Sequence, residues 1–153
     1  MKKAAQLINE VADLSTFDVQ VKNTTNGVSV AIKVEGQIIG SVYADRPYLA
    51  NMHSKIGKET LSKLFEELGT DVIFNMVESE LERDYRGSGL GSAMYVRLVQ
   101  EIDKRHGWLT SALFNSTSDQ AMRVWNSMSK YASTVKKVET TGGTVWCARG
   151  AKV

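Results

Sequence analysis

Arg86-Gly87-Ser88-Gly89-Leu90-Gly91 is the stretch of sequence that organises this chain. Its three glycines allow a tight turn and a close approach of the backbone to a ligand, because no Cβ stands in the way. The turn leads into an apolar-striped helix, whose unpaired N–H groups and positive dipole end favour an anion. Arg86 adds a planar cation that suits phosphate oxygens. The stretch therefore predicts a cradle for a phosphate or pyrophosphate.

Three alternatives for this glycine loop are weaker. A P-loop requires Lys-Ser or Lys-Thr after its last glycine, which this chain lacks. A Rossmann fingerprint requires a glycine where Ser92 stands and an acidic residue where the next strand ends, in Phe114-Asn115. A plain strand-to-helix turn needs neither an arginine before it nor Gly91 in the first helical turn, where glycine costs ~1 kcal/mol against alanine. The anion cradle remains the best interpretation.

Length, composition and charge limit the class of protein. The 153 residues predict one domain, 1–153, with 42% apolar and 24% charged residues, as in ordinary globular proteins. A net charge of +2 gives no support for nucleic acid as the main partner. One cysteine, Cys147, excludes an internal disulfide, and two histidines are too few for a metal cluster. Without a signal peptide or a membrane-spanning run, we expect a cytoplasmic protein with no metal and no membrane partner.

The elements around the loop predict a crossover unit. An apolar strand over 72–81, covered on both faces in its first half, precedes the loop. A helix over 90–105 follows the loop, and a strand over 108–114 follows the helix. A strand, a helix and a strand with short connections place the two strands side by side and parallel.

The rest of the chain predicts helices and antiparallel hairpins. The predicted elements are a helix over 2–14, a strand over 17–22, a hairpin over 28–44 turning at Glu35-Gly36, a helix over 58–68 capped by Gly69, a helix opened by Ser116 and Asp119, and a hairpin over 135–149 turning at Gly142-Gly143. The fold class is therefore mixed α/β, with a largely antiparallel sheet that contains one parallel step.

The spacing of Arg86, Gly89 and Gly91 resembles the Arg-x-x-Gly-x-Gly acyl-CoA-binding motif of the GNAT superfamily of N-acetyltransferases. The order of elements over 17–149 is similar to that family's as well. One departure is Arg83, where the family usually carries a proline. The resemblance implies a single GNAT-like α/β (α+β) domain, with a mixed, mostly antiparallel sheet flanked by helices.

The resemblance also implies acetyl-CoA as a cosubstrate. Backbone groups around Leu81 to Arg83 would pair with the pantetheine arm like an added strand. The loop and the start of its helix would hold the pyrophosphate. Asn115, after the next strand, would either bond the arm or cap the following helix. The implied cofactor-binding residues are Leu81, Arg83, Arg86, Gly87, Ser88, Gly89, Leu90, Gly91, Ser92 and Asn115.

Acetyl transfer to an amine requires a base, a polarised carbonyl and a proton for the departing thiolate. Glu78 and Glu80 lie on one face of their strand and are candidates for the base, or else are solvated or paired. The family's acid is a tyrosine in the pattern Asn-x-x-Ala-x-x-x-Tyr, and Trp125 stands at that position here. An indole N–H is not a useful general acid. Tyr131 is the candidate acid nearby, with core packing as its alternative role.

The resulting hypothesis is an acetyl-CoA-dependent N-acetyltransferase that acts on a primary amine. The alternative is a GNAT-fold binding or structural module that has lost catalysis, which Trp125 motivates. The acceptor, a small molecule or a protein, is not encoded in a motif. Members of the family often form homodimers, so a homodimer is one option for this chain.

Overall fold

A single seven-stranded sheet in the order β1-β2-β3-β4-β5-β7-β6 is the frame of the molecule. The computed structural model describes residues 13–112 and 119–152. The strands are β1 (Asp18–Thr24), β2 (Gly27–Val34), β3 (Gln37–Asp45), β4 (Ile73–Leu81), β5 (Trp108–Thr110), β6 (Ala132–Thr140) and β7 (Gly143–Ala151). Among the strands of these described residues, only β4 and β5 pair in parallel, and the other pairs are antiparallel. This confirms the predicted mixed α/β fold class with one parallel step.

The helices of the described residues are α1 (Lys55–Leu68), α2 (Leu90–Asp103) and α3 (Asp119–Ser127). Ser54 begins α1 by accepting the Gly57 N–H at 2.9 Å, and Gly69 ends it with φ 71°. The helix predicted over 58–68 is therefore confirmed and starts three residues earlier. No helix in the described part of the chain is long and apolar enough to cross a bilayer.

The two faces of the sheet carry separate apolar clusters. On one face, α2 and α3 pack over β2, β3, β4 and β7, with Phe74, Met94, Leu98 and Trp125 in the cluster. On the other face, α1 packs Leu61 and Leu64 over β5, β6 and β7. The large cluster fixes the orientation of α2, and α2 carries the glycine loop at its start.

Several boundaries differ from the sequence-based expectations. The last hairpin turns at Thr141-Gly142, since Thr140 pairs with Gly143. Val77 is 55% exposed, although we expected it to be buried. The pairing of β4 with β3 shifts between Tyr43 and Ala44, and this leaves Val77 as an extra residue that the core does not cover. The predicted helix over 2–14 and the capping residue Ser116 lie largely or wholly outside the described residues.

The strand β5 is shorter than its predicted span of 108–114. Its ladder ends at Thr110, and the next residue, Ser111, is held by β7. The Ser111 N–H donates to Trp146 O at 2.9 Å, and the Trp146 N–H donates to Ser111 Oγ at 3.0 Å. A side chain thus replaces a backbone acceptor and ends the regular strand. Residues 113 and 114 lie outside the described part.

Candidate functional site

The sheet opens between β4 and β5. The two strands pair only from Ile73 with Trp108 to Asn75 with Thr110, while β4 continues to Leu81 beside β3. Over residues 76–81, the side of β4 that faces β5 therefore pairs with no strand in the described ranges 13–112 and 119–152. We call this gap the sheet opening.

Alternate residues of β4 present their backbone to the sheet opening. The Glu82 N–H donates to Ile39 O at 2.9 Å, so Leu81 and Gly40 form a pair whose N–H and C=O groups point away from each other. The same alternation turns the backbone of Ser79 to the sheet opening and that of Glu80 to β3. The edge thus offers the N–H groups of Ser79 and Leu81 to an incoming chain.

The side chains of this part of β4 divide between the two faces of the sheet. Ser79 lies opposite Val42, whose side chain is in the core under α2. Glu78 and Glu80 lie opposite Tyr43 and Ser41 on the other face, and both carboxylates are exposed. The expected common face of Glu78 and Glu80 is therefore present, without the burial that would desolvate them.

The glycine loop turns the chain from β4 into α2. A 3-10 turn over Arg83–Tyr85 follows β4, and Gly87 and Gly89 then adopt left-handed conformations with φ 78° and 86°. Gly89 is the residue before α2, and its lack of a side chain leaves the first N–H groups of α2 without a side-chain cap. A Cβ built on Gly91 would meet no atom within 4 Å. The backbone of the loop and of the first turn is therefore accessible to an anion.

Arg86 connects the loop to the strand edge. Its Nε donates to Leu81 O at 2.8 Å. This bond uses the carbonyl that Leu81 turns to the sheet opening, and it holds the guanidinium between the edge and the loop. The hydroxyl of Ser88 donates to Tyr85 O and holds the turn together.

A cleft of ≈ 250 Å³, which we call the loop cleft, joins the edge to the loop. Its walls are Ser79 and Leu81, the loop from Arg86, the first turns of α2 as far as Tyr95, and Arg123 of α3. A second cleft of ≈ 360 Å³, the edge cleft, shares Ser79, Leu81 and Arg86 and includes Glu80. The backbone of the glycine loop and the edge of β4 thus line one cleft.

Tyr95 of α2 and Ser79 of β4 both line the loop cleft. Burial raises the pKa of Tyr95 above its ordinary value, and the nearby Ser79 hydroxyl opposes this by less. The Tyr95 ring meets Trp125 edge-on, with 6.2 Å between centroids and 87° between planes. The packing against Trp125 therefore fixes the Tyr95 ring in the wall of the loop cleft.

Of the comparisons with known proteins, the one with solved structures indicates a fold. No protein-family model matches the sequence, and no curated protein matches it either. In the structure comparison, the chain is similar to a Klebsiella pneumoniae protein assigned as an acyl-CoA N-acyltransferase, with TM-score 0.50 and 11% identity over 87% of this chain and 96% of that one. The mixed seven-stranded sheet with one parallel pair matches the fold of the structures found.

The chain has the GNAT fold. Two other similar structures have lower TM-scores. An acetyltransferase of the GNAT family from Staphylococcus aureus has TM-score 0.48 and 9% identity over 80% of this chain and 67% of that one. The PaiA N-acetyltransferase of Thermoplasma acidophilum, in complex with coenzyme A, has TM-score 0.46 and 9% identity over 82% of this chain. This chain spans 61% of the length of the Thermoplasma protein.

Within this GNAT fold, most of the predicted cofactor residues lie together. The members that line the loop cleft are Leu81, Arg86, Gly87, Gly89, Gly91 and Ser92. Leu90 is buried beneath them, and Arg83 lies exposed in the 3-10 turn outside both clefts. Asn115 lies outside the described residues.

The candidate catalytic residues are dispersed. Glu80 lines the edge cleft, while Glu78 lines neither cleft. Tyr131 is 8% exposed in the core after α3 and lines neither cleft. Trp125 is buried, as expected for a core aromatic residue. Three further residues of the loop cleft, Ser79, Tyr95 and Arg123, were not predicted from the sequence. Tyr95 could have been noticed, because its hydroxyl is unusual beside Met94 in an apolar helix.

Proposed function

We propose that this chain is an acetyl-CoA-dependent N-acetyltransferase that transfers an acetyl group to a primary amine. The observation that carries the proposal is the loop cleft, in which an unpaired edge of β4 continues into the start of α2. Phosphates bind at helix N-termini, and an extended chain with amide groups adds to a strand edge. Acetyl-CoA has a pyrophosphate, which suits the start of α2, and an arm with two amides, which suits the edge of β4.

Each part of the cleft has a role in the proposal. The N–H groups of the first turn of α2, together with Arg86, bind the pyrophosphate. Gly91 allows the phosphates to reach the backbone. The N–H groups of Ser79 and Leu81 bind the arm and the thioester carbonyl, so an N–H at this edge polarises the carbonyl.

The amine approaches from the face of β4 that carries Glu78 and Glu80. These carboxylates are on the opposite face from Tyr95 and Ser79, and Glu80 lies in the edge cleft beside Ser79. A carboxylate there accepts the proton that the amine releases, directly or through water. In this proposal, residues 1–153 form one domain. The acceptor is an amine of a small molecule or of a protein.

A GNAT-fold binding module without catalysis is the second candidate. It is favoured by Trp125, which fills with an indole the position where the related enzymes carry a tyrosine. Binding of acetyl-CoA is common to both candidates. Turnover separates them, because only the enzyme releases free CoA when an amine is present.

Calorimetric titration with CoA tests the cleft. The wild-type protein should bind CoA at least about tenfold more tightly than the CoA fragment that lacks the pantetheine arm, because two or more hydrogen bonds to the strand edge are worth ~1 kcal/mol each. A panel of primary amines with acetyl-CoA should release CoA thiol. Equal affinity for CoA and its fragment would contradict the role of the strand edge, and binding without thiol release would favour the module.

The variant Gly91→Glu tests directly whether the start of α2 binds the pyrophosphate. Its side chain has open space, its backbone is helical, and its carboxylate would lie where the pyrophosphate binds. We expect CoA binding to become undetectable while the circular dichroism and the melting temperature stay near those of the wild type. Ser62→Glu, exposed on α1, makes the same change in charge away from the cleft and should leave the affinity unchanged. Retained CoA affinity in Gly91→Glu would overturn the binding site.

A further inference from the structure

We propose that Arg123 of α3 pairs with one phosphate of the acetyl-CoA pyrophosphate, while Arg86 of the glycine loop pairs with the other. This inference rests on the proposed function and adds to it a binding residue that lies outside the glycine loop and its motif. It gives α3 a role in holding the cofactor, although the indole of Trp125 is not a useful proton donor. The position, the charge and the packing of Arg123 support it.

Arg123 belongs to the wall that α3 contributes to the loop cleft. The other walls include the glycine loop with Arg86 and the first turn of α2. The cleft measures only ≈ 250 Å³, so groups on its different walls can contact one ligand at the same time. A long arginine side chain in the α3 wall can therefore reach a phosphate that is bound at the start of α2.

The described walls of the loop cleft carry positive charge. Arg86 and Arg123 line the cleft, and within residues 13–112 and 119–152 no carboxylate lines it. The start of α2 adds the positive end of a helix dipole and N–H groups without a side-chain cap. The pyrophosphate of CoA carries one negative charge on each of its two phosphates. Two arginines therefore match it charge for charge, and each can form a bidentate pair with phosphate oxygens.

The guanidinium of Arg123 is available to a ligand. Its side chain is exposed, and no hydrogen bond or ion pair within the described part of the chain involves it. By contrast, Arg97 is paired with Glu101 at 3.4 Å, and Arg105 donates to Thr25 O at 3.0 Å. Arg123 therefore gives up no such contact when its donors turn to a phosphate.

Packing holds the backbone of Arg123 beside α2. Trp125, two residues further along α3, is 1% exposed, and its ring meets Tyr95 of α2 edge-on with 6.2 Å between centroids. Because α2 also carries the start of the phosphate site, the two helices present their groups to the cleft from fixed positions. Binding groups that are fixed before the ligand arrives lose less entropy when it binds. The indole of Trp125 thus supports a binding role of α3.

Calorimetric titration of the full chain with CoA, and with dephospho-CoA, which lacks only the 3′-phosphate, tests the role of Arg123. In Arg123→Gln, both ligands should bind about 10- to 100-fold more weakly than in the wild type, because a charge-assisted pair is lost. Pantetheine, which has no phosphate, should bind both proteins equally. Lys130→Gln, exposed in the 3-10 turn after α3, makes the same change in charge and should leave all three affinities unchanged.

A double variant tests whether the two arginines hold different phosphates. If each pairs with its own phosphate, the losses of CoA affinity in Arg86→Gln and Arg123→Gln should multiply in the double variant to within about threefold. A larger departure from that product would mean that both guanidinium groups act on the same phosphate, which contradicts the proposed pairing. Arg123→Lys keeps the charge without the planar fork, so it should bind CoA more tightly than Arg123→Gln and less tightly than the wild type.

The outcomes separate this inference from the proposed function. If the wild type does not bind CoA, the proposed function fails and the role of Arg123 fails with it. If CoA binds the wild type and Arg123→Gln equally, the role of Arg123 is overturned while the binding site stands. If the affinity for CoA falls and that for dephospho-CoA does not, Arg123 contacts the 3′-phosphate, and its assignment to the pyrophosphate is overturned. Should Arg123→Gln not fold, Arg123→Met removes the charge with a long side chain that suits a helix, and the same comparisons apply.

Discussion

Glu101 is a buried carboxylate near the end of α2 that remains ionised. It is 5% exposed and is held by Lys104 Nζ at 2.9 Å, Asn23 Nδ2 at 3.3 Å and Arg97 Nε at 3.4 Å. Burial raises the pKa of Glu101, but the bonds from Lys104 and Asn23 and the charge of Arg97 outweigh it, so its pKa lies below the ordinary value. Because Asn23 belongs to β1, this carboxylate ties the edge strand to α2.

The lowered pKa of Glu101 makes stability depend on pH. A carboxyl whose pKa is depressed by folding stabilises the protein above its unfolded pKa of about 4.3, and this contribution is lost as the pH falls through the folded value. Glu101→Gln should therefore be less stable than the wild type by about 1 kcal/mol near neutral pH. Urea denaturation should show this difference shrinking as the pH falls below about 4.3. A difference of the same size at both pH values would mean that shape, not charge, is what the substitution changes.

Single residues also mark the limit of what the sequence could predict. The turn of the glycine loop was predictable because Gly87, Gly89 and Gly91 favour a tight turn wherever they occur, whereas the binding of an anion there stays a prediction. Tyr95 could not be identified in this way, since only the folded structure brings it into the wall of the same cleft as Ser79 of the preceding strand. The exposed carboxylates Glu78 and Glu80 were placed on one face correctly, because that depends only on strand geometry.

At the scale of elements, replacing each of two glycines at helix ends by alanine should change the stability of the protein in opposite directions. Gly69, after α1, has φ 71°, where an alanine Cβ is strained, so Gly69→Ala should destabilise the protein by ~1 kcal/mol. Gly91, inside α2, has helical backbone and open space, so Gly91→Ala should stabilise it by ~0.4–1 kcal/mol. Thermal melts of both variants check this pair. A loss of stability in Gly91→Ala would show that the first turn of α2 is held in a strained form.

The elements were predictable where the pattern is local. Alternation over 28–44 with a Glu35-Gly36 turn gave the β2–β3 hairpin, and both turn residues have positive φ, 51° and 81°. At the last hairpin, the predicted turn at Gly142-Gly143 was wrong by one residue, because Thr140 pairs with Gly143 and the structure turns at Thr141-Gly142. The strand β5 ends early because Ser111 bonds to Trp146, which is distant in sequence and cannot be read from periodicity.

At the scale of the whole molecule, the extent of the sheet opening could not be predicted from periodicity, although the family resemblance implied a free strand edge around Leu81 to Arg83. The sequence indicated that β4 and β5 are parallel neighbours, and they are. The point at which the two strands separate depends on their other neighbours, because β5 pairs with β7 while β4 pairs with β3. Pairing between distant strands decides this, and no single segment carries it.

The sheet opening predicts an alternating response of backbone amides to CoA. Without ligand, the Glu80 and Glu82 N–H groups are bonded to β3, whereas those of Ser79 and Leu81 face the sheet opening. Hydrogen exchange at these four amides, measured by NMR, should therefore be slow at 80 and 82 and faster at 79 and 81.

Saturating CoA should slow exchange at Ser79 and Leu81, because the arm bonds to those two N–H groups, and it should raise global stability by ~2.7 kcal/mol at 100 times the dissociation constant. Gly91→Glu, which is expected to bind no CoA, serves as the control and should show the unliganded pattern at every concentration. Uniform slowing of all four amides would mean that CoA tightens the sheet as a whole without pairing to its edge. Protection confined to residues 79 and 81 would follow only from an added strand in the sheet opening, since a ligand held by the glycine loop alone leaves both N–H groups exposed.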